Sequence, residues 1–225
     1  MLTNPIVEVR GVSHSYPMKA ETITAVNQVS FEVSSGEYIA LMGPSGCGKT
    51  TLMSLISGLL PVTSGSVSID GTLVGALSPE QRAAFRLKNI GVVFQDTQLI
   101  PEFSVIENVM LPLELAGAKA DVARAEATSA LNRVGLGSFL DRFPDEISGG
   151  QAQRVGIARA IVGGRKVLLA DEPTGNLDKE NSLIVFETLG ELAKSGLAVL
   201  VSTHDPLAEE FVSRTLPMSD GKILK

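Results

Sequence analysis

Short apolar runs separated by turn residues fill the first third of the chain. Four of these runs are rich in β-prone residues and occupy residues 6–12, 26–33, 38–42 and 66–69. Asp70-Gly71, and Asp220-Gly221 near the C-terminus, have the composition of tight hairpin turns. The pattern predicts an antiparallel β layer in the N-terminal part of the chain.

A helical pattern begins at residue 50, directly after the third apolar run. Its apolar residues recur at offsets of three and four and are Leu52, Leu55, Ile56 and Leu59. Pro61 is expected to end this helix after Leu60. A strand, a glycine-rich loop and a helix therefore follow one another without interruption.

The middle of the chain, roughly residues 79–165, is predicted to be mostly helical. Ser78 with Gln81 and Ser104 with Glu107 have the spacing of capping boxes, which mark helix starts. Residues 121–134 are rich in Ala, Glu and Arg and predict a largely solvated helix. We expect a helical subdomain at roughly residues 96–160.

Two compact apolar runs, residues 167–170 and 197–201, flank a helical stretch at about residues 181–194. Strand, helix and strand in this order predict parallel strands that are buried on both faces. We therefore expect an α/β fold with a mainly parallel core sheet and an antiparallel N-terminal β subdomain. The length of 225 residues suits one domain, residues 1–225.

Composition narrows the classes of function. A hydrophobic fraction of 44% with 20% charged residues describes a globular protein. A net charge of -6 without a basic cluster argues against nucleic acid as a partner. One cysteine and two histidines argue against a disulfide and a zinc site. The chain has no stretch apolar enough to span a membrane and no signal region, so we expect it in the cytoplasm unless a partner holds it at a membrane.

The glycine-rich loop matches the pattern G-x-x-x-x-G-K-[ST] between a predicted strand and a predicted helix. The residues of this phosphate-binding loop are Gly43, Pro44, Ser45, Gly46, Cys47, Gly48, Lys49 and Thr50. Backbone N–H groups and the helix N-terminus would cradle a triphosphate. Lys49 would neutralise the β- and γ-phosphates, and the Thr50 hydroxyl would coordinate Mg²⁺. Cys47 is expected to contribute only its backbone N–H.

An apolar strand ends in two carboxylates, Asp171 and Glu172, where open α/β sheets place their ligands. Because adjacent residues point in different directions, one carboxylate can support a metal while the other faces water. We expect Asp171 to support Mg²⁺ and Glu172 to act as the general base.

A second helix start carries the sequence Ser148-Gly149-Gly150-Gln151. Ser148 and Gln151 form a capping-box pair around two glycines, so a phosphate could approach this N-terminus closely. On physical grounds alone, a well-capped helix with a flexible start is about as probable as an anion site.

With these three motifs in this order, nearly the whole chain resembles the nucleotide-binding domain of ABC transporters, a P-loop NTPase. The resemblance implies that Ser148, Gly149, Gly150 and Gln151 are the signature motif, which contacts ATP held by a second copy of the domain. It also implies a helical subdomain that carries this motif. Two copies would then enclose two Mg-ATP molecules head to tail.

The resemblance assigns further residues. Gln95 looks like the glutamine that reaches Mg²⁺ and the attacking water, and His204 looks like the switch histidine that contacts the γ-phosphate. Asp178 matches a residue of the loop that communicates across the dimer. Tyr16 matches the aromatic residue that stacks on adenine. A tyrosine that packs on its own sheet would explain Tyr16 almost as well. Thr51 is expected beside the nucleotide.

Within the family, Glu172-Pro-Thr-Gly-Asn-Leu-Asp and Glu107-Asn-Val-Met-Leu-Pro-Leu look most like the ATPases of the MacB, LolD and haem-exporter group. The resemblance implies a separate transmembrane permease, peripheral attachment at the cytoplasmic face of the membrane, and export or extraction of a lipid or hydrophobic substrate. Asp96-Thr97-Gln98 departs from the family pattern where the permease should touch. We expect Leu99, Ile100 and Phe103 to form part of the docking groove.

Two other functions remain open. One is a soluble ABC ATPase that serves as a cofactor-assembly scaffold or remodels a macromolecule. The other is a nucleotide-binding regulator without turnover, which the presence of both Glu172 and His204 disfavours.

Overall fold

The computed structural model describes residues 5–17 and 22–224, which form two sheets and the helices around them. The strands of these residues are β1 (Val7–Pro17), β2 (Thr22–Val33), β3 (Tyr38–Met42), β4 (Ser64–Ile69), β5 (Thr72–Leu73), β6 (Ile90–Val93), β7 (Val167–Asp171), β8 (Ala198–Thr203), β9 (Arg214–Ser219) and β10 (Lys222–Ile223). The α-helices are α1 (Lys49–Ile56), α2 (Pro79–Asn89), α3 (Val105–Leu115), α4 (Ala120–Arg133), α5 (Gly149–Ile161) and α6 (Lys179–Lys194).

The larger sheet has the strand order β10-β9-β3-β8-β7-β6. All its neighbouring pairs are parallel except β9 with the edge strand β10. Every residue of β8 is buried, as are the first four residues of β3 and of β7, because helices cover both faces. The expected parallel core sheet is confirmed, and the carboxyl ends of β3, β8 and β7 lie side by side at one edge.

The smaller sheet is antiparallel, with the order β2-β1-β4-β5. The β4–β5 turn and the β9–β10 turn begin with Asp70 and Asp220, whose φ angles are 49° and 47°. Positive φ at this position is what the tight hairpin turns with the Asp-Gly sequence require. Both predicted turns and the predicted N-terminal β layer are confirmed.

Helices α3, α4 and α5 share one buried apolar cluster with one face of the parallel sheet. Val109 of α3, Leu131 of α4 and Ile157 of α5 are all fully buried in it. Capping boxes begin α2 at Ser78 and α5 at Ser148, as the serine and glutamine spacing predicts. No helix within residues 5–17 and 22–224 has the length and apolar character needed to cross a membrane.

Helix α1 is shorter than the sequence pattern predicts, because it ends at Ile56 and not at Leu60. Gly58 has φ 69°, and its N–H donates to the carbonyl of Leu55 at 3.2 Å. A left-handed glycine just after a helix closes the last turn and stops propagation. The chain therefore leaves the helix before Pro61, and the side chain of Leu59 is 47% exposed.

The hydroxyl of Tyr38 is buried and has no hydrogen-bond partner among the described residues. Burial also raises the pKa of Tyr38 far above its ordinary value. Because an unpaired buried hydroxyl costs desolvation energy, Tyr38→Phe is expected to raise the free energy of unfolding by about 1 kcal/mol. Urea unfolding measures the change.

Tyr16→Phe is the matched control for that experiment, because the Tyr16 side chain is exposed. Its unfolding free energy is expected to change by no more than about 0.5 kcal/mol. A loss of stability in Tyr38→Phe would show that the Tyr38 hydroxyl makes a favourable interaction, and would contradict the prediction.

Candidate functional site

The glycine-rich loop of residues 43–50 connects the carboxyl end of β3 to the start of α1. Gly48 has φ 107°, and a Cβ atom at this position would lie 2.1 Å from the carbonyl oxygen of Ala25. Glycine is therefore required here by both the backbone conformation and the space. Gly48 begins α1 without a side-chain cap, so the first-turn N–H groups are free to bind an anion.

Lys49 points back into the loop, with only 5% of the residue exposed. Its Nζ donates to the carbonyl of Gly43 at 2.7 Å and to that of Pro44 at 3.3 Å. Its only carboxylate partner among the described residues is Glu172, whose Oε1 lies 3.2 Å away. The ammonium group is thus held at the mouth of the loop by carbonyls and by one acidic group that a phosphate could replace.

Glu172 follows β7 and has φ 47°, a conformation that is rare outside glycine. Its N–H donates to the carbonyl of Ser202 at 2.9 Å, which fixes the turn at the end of the strand. The turn directs the side chain between Lys49 and His204, where it is 16% exposed. Glu172 Oε2 lies 3.0 Å from His204 Nδ1.

Asp171 is the last residue of β7 and pairs in register with Ser202 of β8. The Ser202 hydroxyl donates to Asp171 Oδ1. The side chains of Asp171 and Glu172 therefore contact different residues, in agreement with the expectation that they point in different directions. Ser202 was not identified from the sequence, because a serine directly after an apolar run carries no motif.

Tyr16 lies beside the start of α1. Its hydroxyl oxygen is 3.5 Å from Thr51 Oγ1, and 38% of the residue is exposed. The ring of His14 packs edge-on against it, with the centroids 4.8 Å apart. Thr50 is exposed on the first turn of the same helix. The three predicted residues Tyr16, Thr50 and Thr51 are thus close to the loop that holds Lys49.

Cys47 is buried and lies inside the loop, with 6% exposure. Its N–H donates to the carbonyl of Pro44 at 3.3 Å, and its Sγ would be 2.9 Å from a Cβ on Gly43. The thiol therefore packs against the buried side of the loop. Ser45 and Gly46 are exposed on the outer side.

The signature residues lie in a different part of the chain's surface, at the N-terminus of α5. A Cβ on Gly150 would be 2.1 Å from Asn181 Oδ1, and one on Gly149 would be 3.8 Å from Leu177. Ser148 accepts a hydrogen bond from the N–H of Gln151, and Ser148 and Gly149 are exposed. This helix start packs against the start of α6.

Asp178 caps α6 by accepting the N–H of Asn181 at 2.8 Å. This backbone hydrogen bond, with a second one from the Asn181 side chain, lowers the pKa of Asp178. Gln95 follows β6, and its Nε2 donates to Asn176 Oδ1 at 3.3 Å. The predicted residues thus form two groups within one chain, one around Lys49 and the other around Ser148, Asp178 and Gln95.

Comparison with known proteins identifies the family. The model of the ABC transporter family matches residues 26–175. The lipoprotein-releasing system ATP-binding protein LolD of Geobacter metallireducens is 42% identical over 220 residues, which cover 97% of this chain and 98% of that protein. The macrolide export ATP-binding/permease protein MacB of Syntrophobacter fumaroxidans is 42% identical over 223 residues, 97% of this chain. The chain spans 31% of the length of that MacB protein.

Solved structures agree with this grouping. The dimeric structure of MJ0796, a bacterial ABC transporter cassette, superposes with a TM-score of 0.88 at 34% identity and covers 97% of both chains. The same cassette has been solved as a dimer in a post-hydrolysis state with ADP and Pi, again with a TM-score of 0.88. The chain belongs to the ABC transporter family, in the group of ABC ATPases that includes MacB and LolD.

Proposed function

We propose that two copies of this chain close around two Mg-ATP molecules and that hydrolysis drives a separate membrane permease. The observation that carries the proposal is the cluster of Lys49, Glu172 and His204 at the mouth of the glycine-rich loop. The cluster combines an ammonium for phosphate, a carboxylate for water and an imidazole on one edge of the sheet.

Arrival of a triphosphate would change the partners of Glu172. Phosphate oxygens compete for Lys49 and for the N–H groups of α1, so the contact between Lys49 and Glu172 would be exchanged for contacts with the β- and γ-phosphates. The freed carboxylate can then accept a proton from the water that attacks the γ-phosphorus, while the bond to the ADP oxygen breaks. His204, now beside Glu172, would contact the γ-phosphate.

The residues at this edge fit a Mg²⁺ ion that arrives with the nucleotide. Magnesium is usually held through one or two carboxylates together with substrate phosphates. Asp171, oriented by Ser202, and the Thr50 hydroxyl would supply the protein ligands, and Gln95 would contribute its side-chain oxygen while its Nε2 stays hydrogen-bonded to Asn176. When bound, Mg²⁺ would neutralise charge on the phosphates.

A second copy is needed because the signature residues of this chain do not reach its own Lys49. Ser148 and Gly149 are exposed and pack near the start of α6, where they are available to another molecule. MJ0796, which this chain resembles at 34% identity, was solved as a dimer. We propose that Ser148, Gly149, Gly150 and Gln151 complete the nucleotide site of the partner copy, with Asp178 at the same interface.

A groove of about 570 Å³ lies between α2, α3 and α5 and is proposed to receive the permease. Its apolar lining includes Leu115, Leu59 and Phe94, which are 69%, 47% and 36% exposed. Of the three residues predicted from the sequence, Ile100 lines this groove; Leu99 lines the neighbouring cavity beside Gln95 and Leu177, and Phe103 is half-buried outside it.

Arginines make the groove basic as well as apolar. Arg159 and Arg165 donate to backbone carbonyls of its walls, and neither forms an ion pair with a carboxylate among the described residues. Burial, with repulsion from Arg159, lowers the pKa of Arg165 to about 10. A permease segment with apolar residues would cover the apolar part of the groove lining.

Leu115→Asp is expected to reduce copurification with the co-expressed permease of the same gene cluster by roughly tenfold or more, since burying a leucine contributes about 1.5–3 kcal/mol. Val122→Asp is the matched control, because Val122 is 46% exposed on α4 and outside the groove. Equal recovery of wild type and Leu115→Asp would contradict docking at this groove.

The names of the relatives suggest which kind of transport the chain powers. MacB is named for macrolide export and LolD for lipoprotein release. We propose export, or extraction of a lipid or hydrophobic substrate, by a complex that holds this chain at the cytoplasmic face of the membrane. The cofactor-assembly scaffold is not favoured, because these relatives carry transporter names, and copurification with a permease would separate the two functions.

A further inference from the structure

Asn176 connects the loop after β7 to the loop after β6, which belong to two different sequence motifs. It lies in the loop between β7 and α6, two residues before the α6 cap Asp178. Its Oδ1 accepts a hydrogen bond from Gln95 Nε2 at 3.3 Å, and its Nδ2 donates to Asp96 Oδ1 at 3.0 Å. A single amide thus holds two successive side chains of the loop that follows β6.

The Gln95 side chain also lies close to Gly175, the residue before Asn176. A Cβ atom on Gly175 would lie 3.0 Å from Gln95 Nε2 and 3.4 Å from the carbonyl oxygen of Glu172. The N–H of Gly175 donates to that same carbonyl at 3.1 Å. The Gln95 amide therefore lies against the turn that begins at Glu172, where Asn176 accepts its hydrogen bond.

The other end of the Gln95 loop is fixed from the helical side. Arg159 of α5 donates to the carbonyls of Thr97 and Gln98. Because Arg159 holds the backbone only at Thr97 and Gln98, releasing Asn176 would free Gln95 and loosen the first part of the loop. Asp96 is the first of the three residues that depart from the family pattern, and its structural role is to accept the hydrogen bond from Asn176.

We infer that Asn176 is a positioning residue for Gln95 and that Asp96 orients the Asn176 amide so that its oxygen faces Gln95. Asn176 has one oxygen and one NH₂ group, and it can serve Gln95 as an acceptor only while its NH₂ group faces an acceptor on the other side. The Asp96 carboxylate, which only accepts when ionised, selects this orientation. The inference rests on the proposed function, in which Gln95 acts in hydrolysis.

Three variants test this arrangement. Asn176→Ala removes both hydrogen bonds and is expected to lower kcat for ATP about threefold to tenfold. Asn176→Asp places a second carboxylate beside Asp96 and is expected to lower kcat at least about tenfold through repulsion. The double variant Asp96→Asn with Asn176→Asp restores a donor facing an acceptor, and its kcat is expected to return to within about twofold of wild type.

The KM for ATP distinguishes positioning from a general structural effect. Since Lys49 and the glycine-rich loop do not contact Asn176, the KM of all three variants is expected to stay within about twofold of wild type. Hydrogen exchange of the peptide covering residues 94–99 in the nucleotide-free protein gives a readout without activity. It is expected to be about severalfold faster in Asn176→Ala and to return to the wild-type rate in the double variant.

The outcomes separate this inference from the proposed function. A wild-type protein without ATPase activity would contradict the proposed function, and the exchange rates would then decide the role of Asn176. Unchanged exchange in Asn176→Ala, or a double variant no better than Asn176→Asp, would overturn the inference. Loss of kcat with rescue by the double variant would support it.

Discussion

Glu172→Gln is expected to lower the ATPase kcat by about 10²- to 10⁴-fold, the usual contribution of a general base. Glutamine has the same shape as glutamate and can still contact His204, but its amide cannot accept a proton from water at neutral pH. Steady-state phosphate release by the purified protein, or by its complex with the permease, measures the loss.

Glu180→Gln is the control for the chemical change, because Glu180 is exposed on the first turn of α6. Its kcat is expected to equal that of wild type. If Glu172→Gln turned over ATP within about tenfold of wild type, another group would have to act as the base.

Ser148→Asp is expected to lower kcat by at least about 10²-fold, although each chain should still bind ATP at its own Lys49. Asp is as good a helix cap as Ser, so α5 keeps its start. The added carboxylate would face the γ-phosphate held by the partner copy, and like charges juxtaposed at an interface cost several kcal/mol.

Ser148→Asn separates charge from size in this experiment. Asn also caps helices well and carries no charge, so its kcat is expected to stay within about tenfold of wild type. ATP affinity, measured by equilibrium titration, should be unchanged in both variants. Equal activities of the Asp and Asn variants would argue against a phosphate opposite Ser148.

The regular part of the fold was predictable because its signals are local. The strands β3, β7 and β8 are continuous apolar runs, and the capping boxes at Ser78 and Ser148 mark helix starts directly. The end of α1 was predicted wrongly, since the periodic leucine at position 59 outweighed the nearer stop at Gly58.

The glycine-rich loop and the adjacent carboxylates were predictable for the same reason: each motif lies within a few residues. The backbone of Glu172 was not, because a glutamate with φ 47° is stabilised by its contact with Ser202 and not by its own preference. The pairing of Asn176 with Asp96 joins positions 80 residues apart in the chain. No periodicity or local motif reports such a contact.

The groove proposed to receive the permease combines residues that are near and far from Gln95 in the sequence. Phe94 and Ile100 lie near Gln95 in the chain and line the groove, but Leu99 and Phe103, which are also near, do not. The lining is completed by Leu59 and Leu115, which come from distant segments. Leu59 reaches it because α1 stops early, and Leu115 because it ends α3 on the outer side. Only the packing of α2, α3 and α5 brings these residues together.

We propose that a nucleotide site is complete only between two copies of the chain. Sedimentation equilibrium of Glu172→Gln tests it most directly, because this variant should keep ATP intact. Its mass is expected to be 23.7 kDa without nucleotide and twice that with saturating Mg-ATP, and to return to 23.7 kDa when Ser148→Asp is added. A Glu172→Gln variant that binds ATP and still sediments at 23.7 kDa would show that one copy holds a complete site.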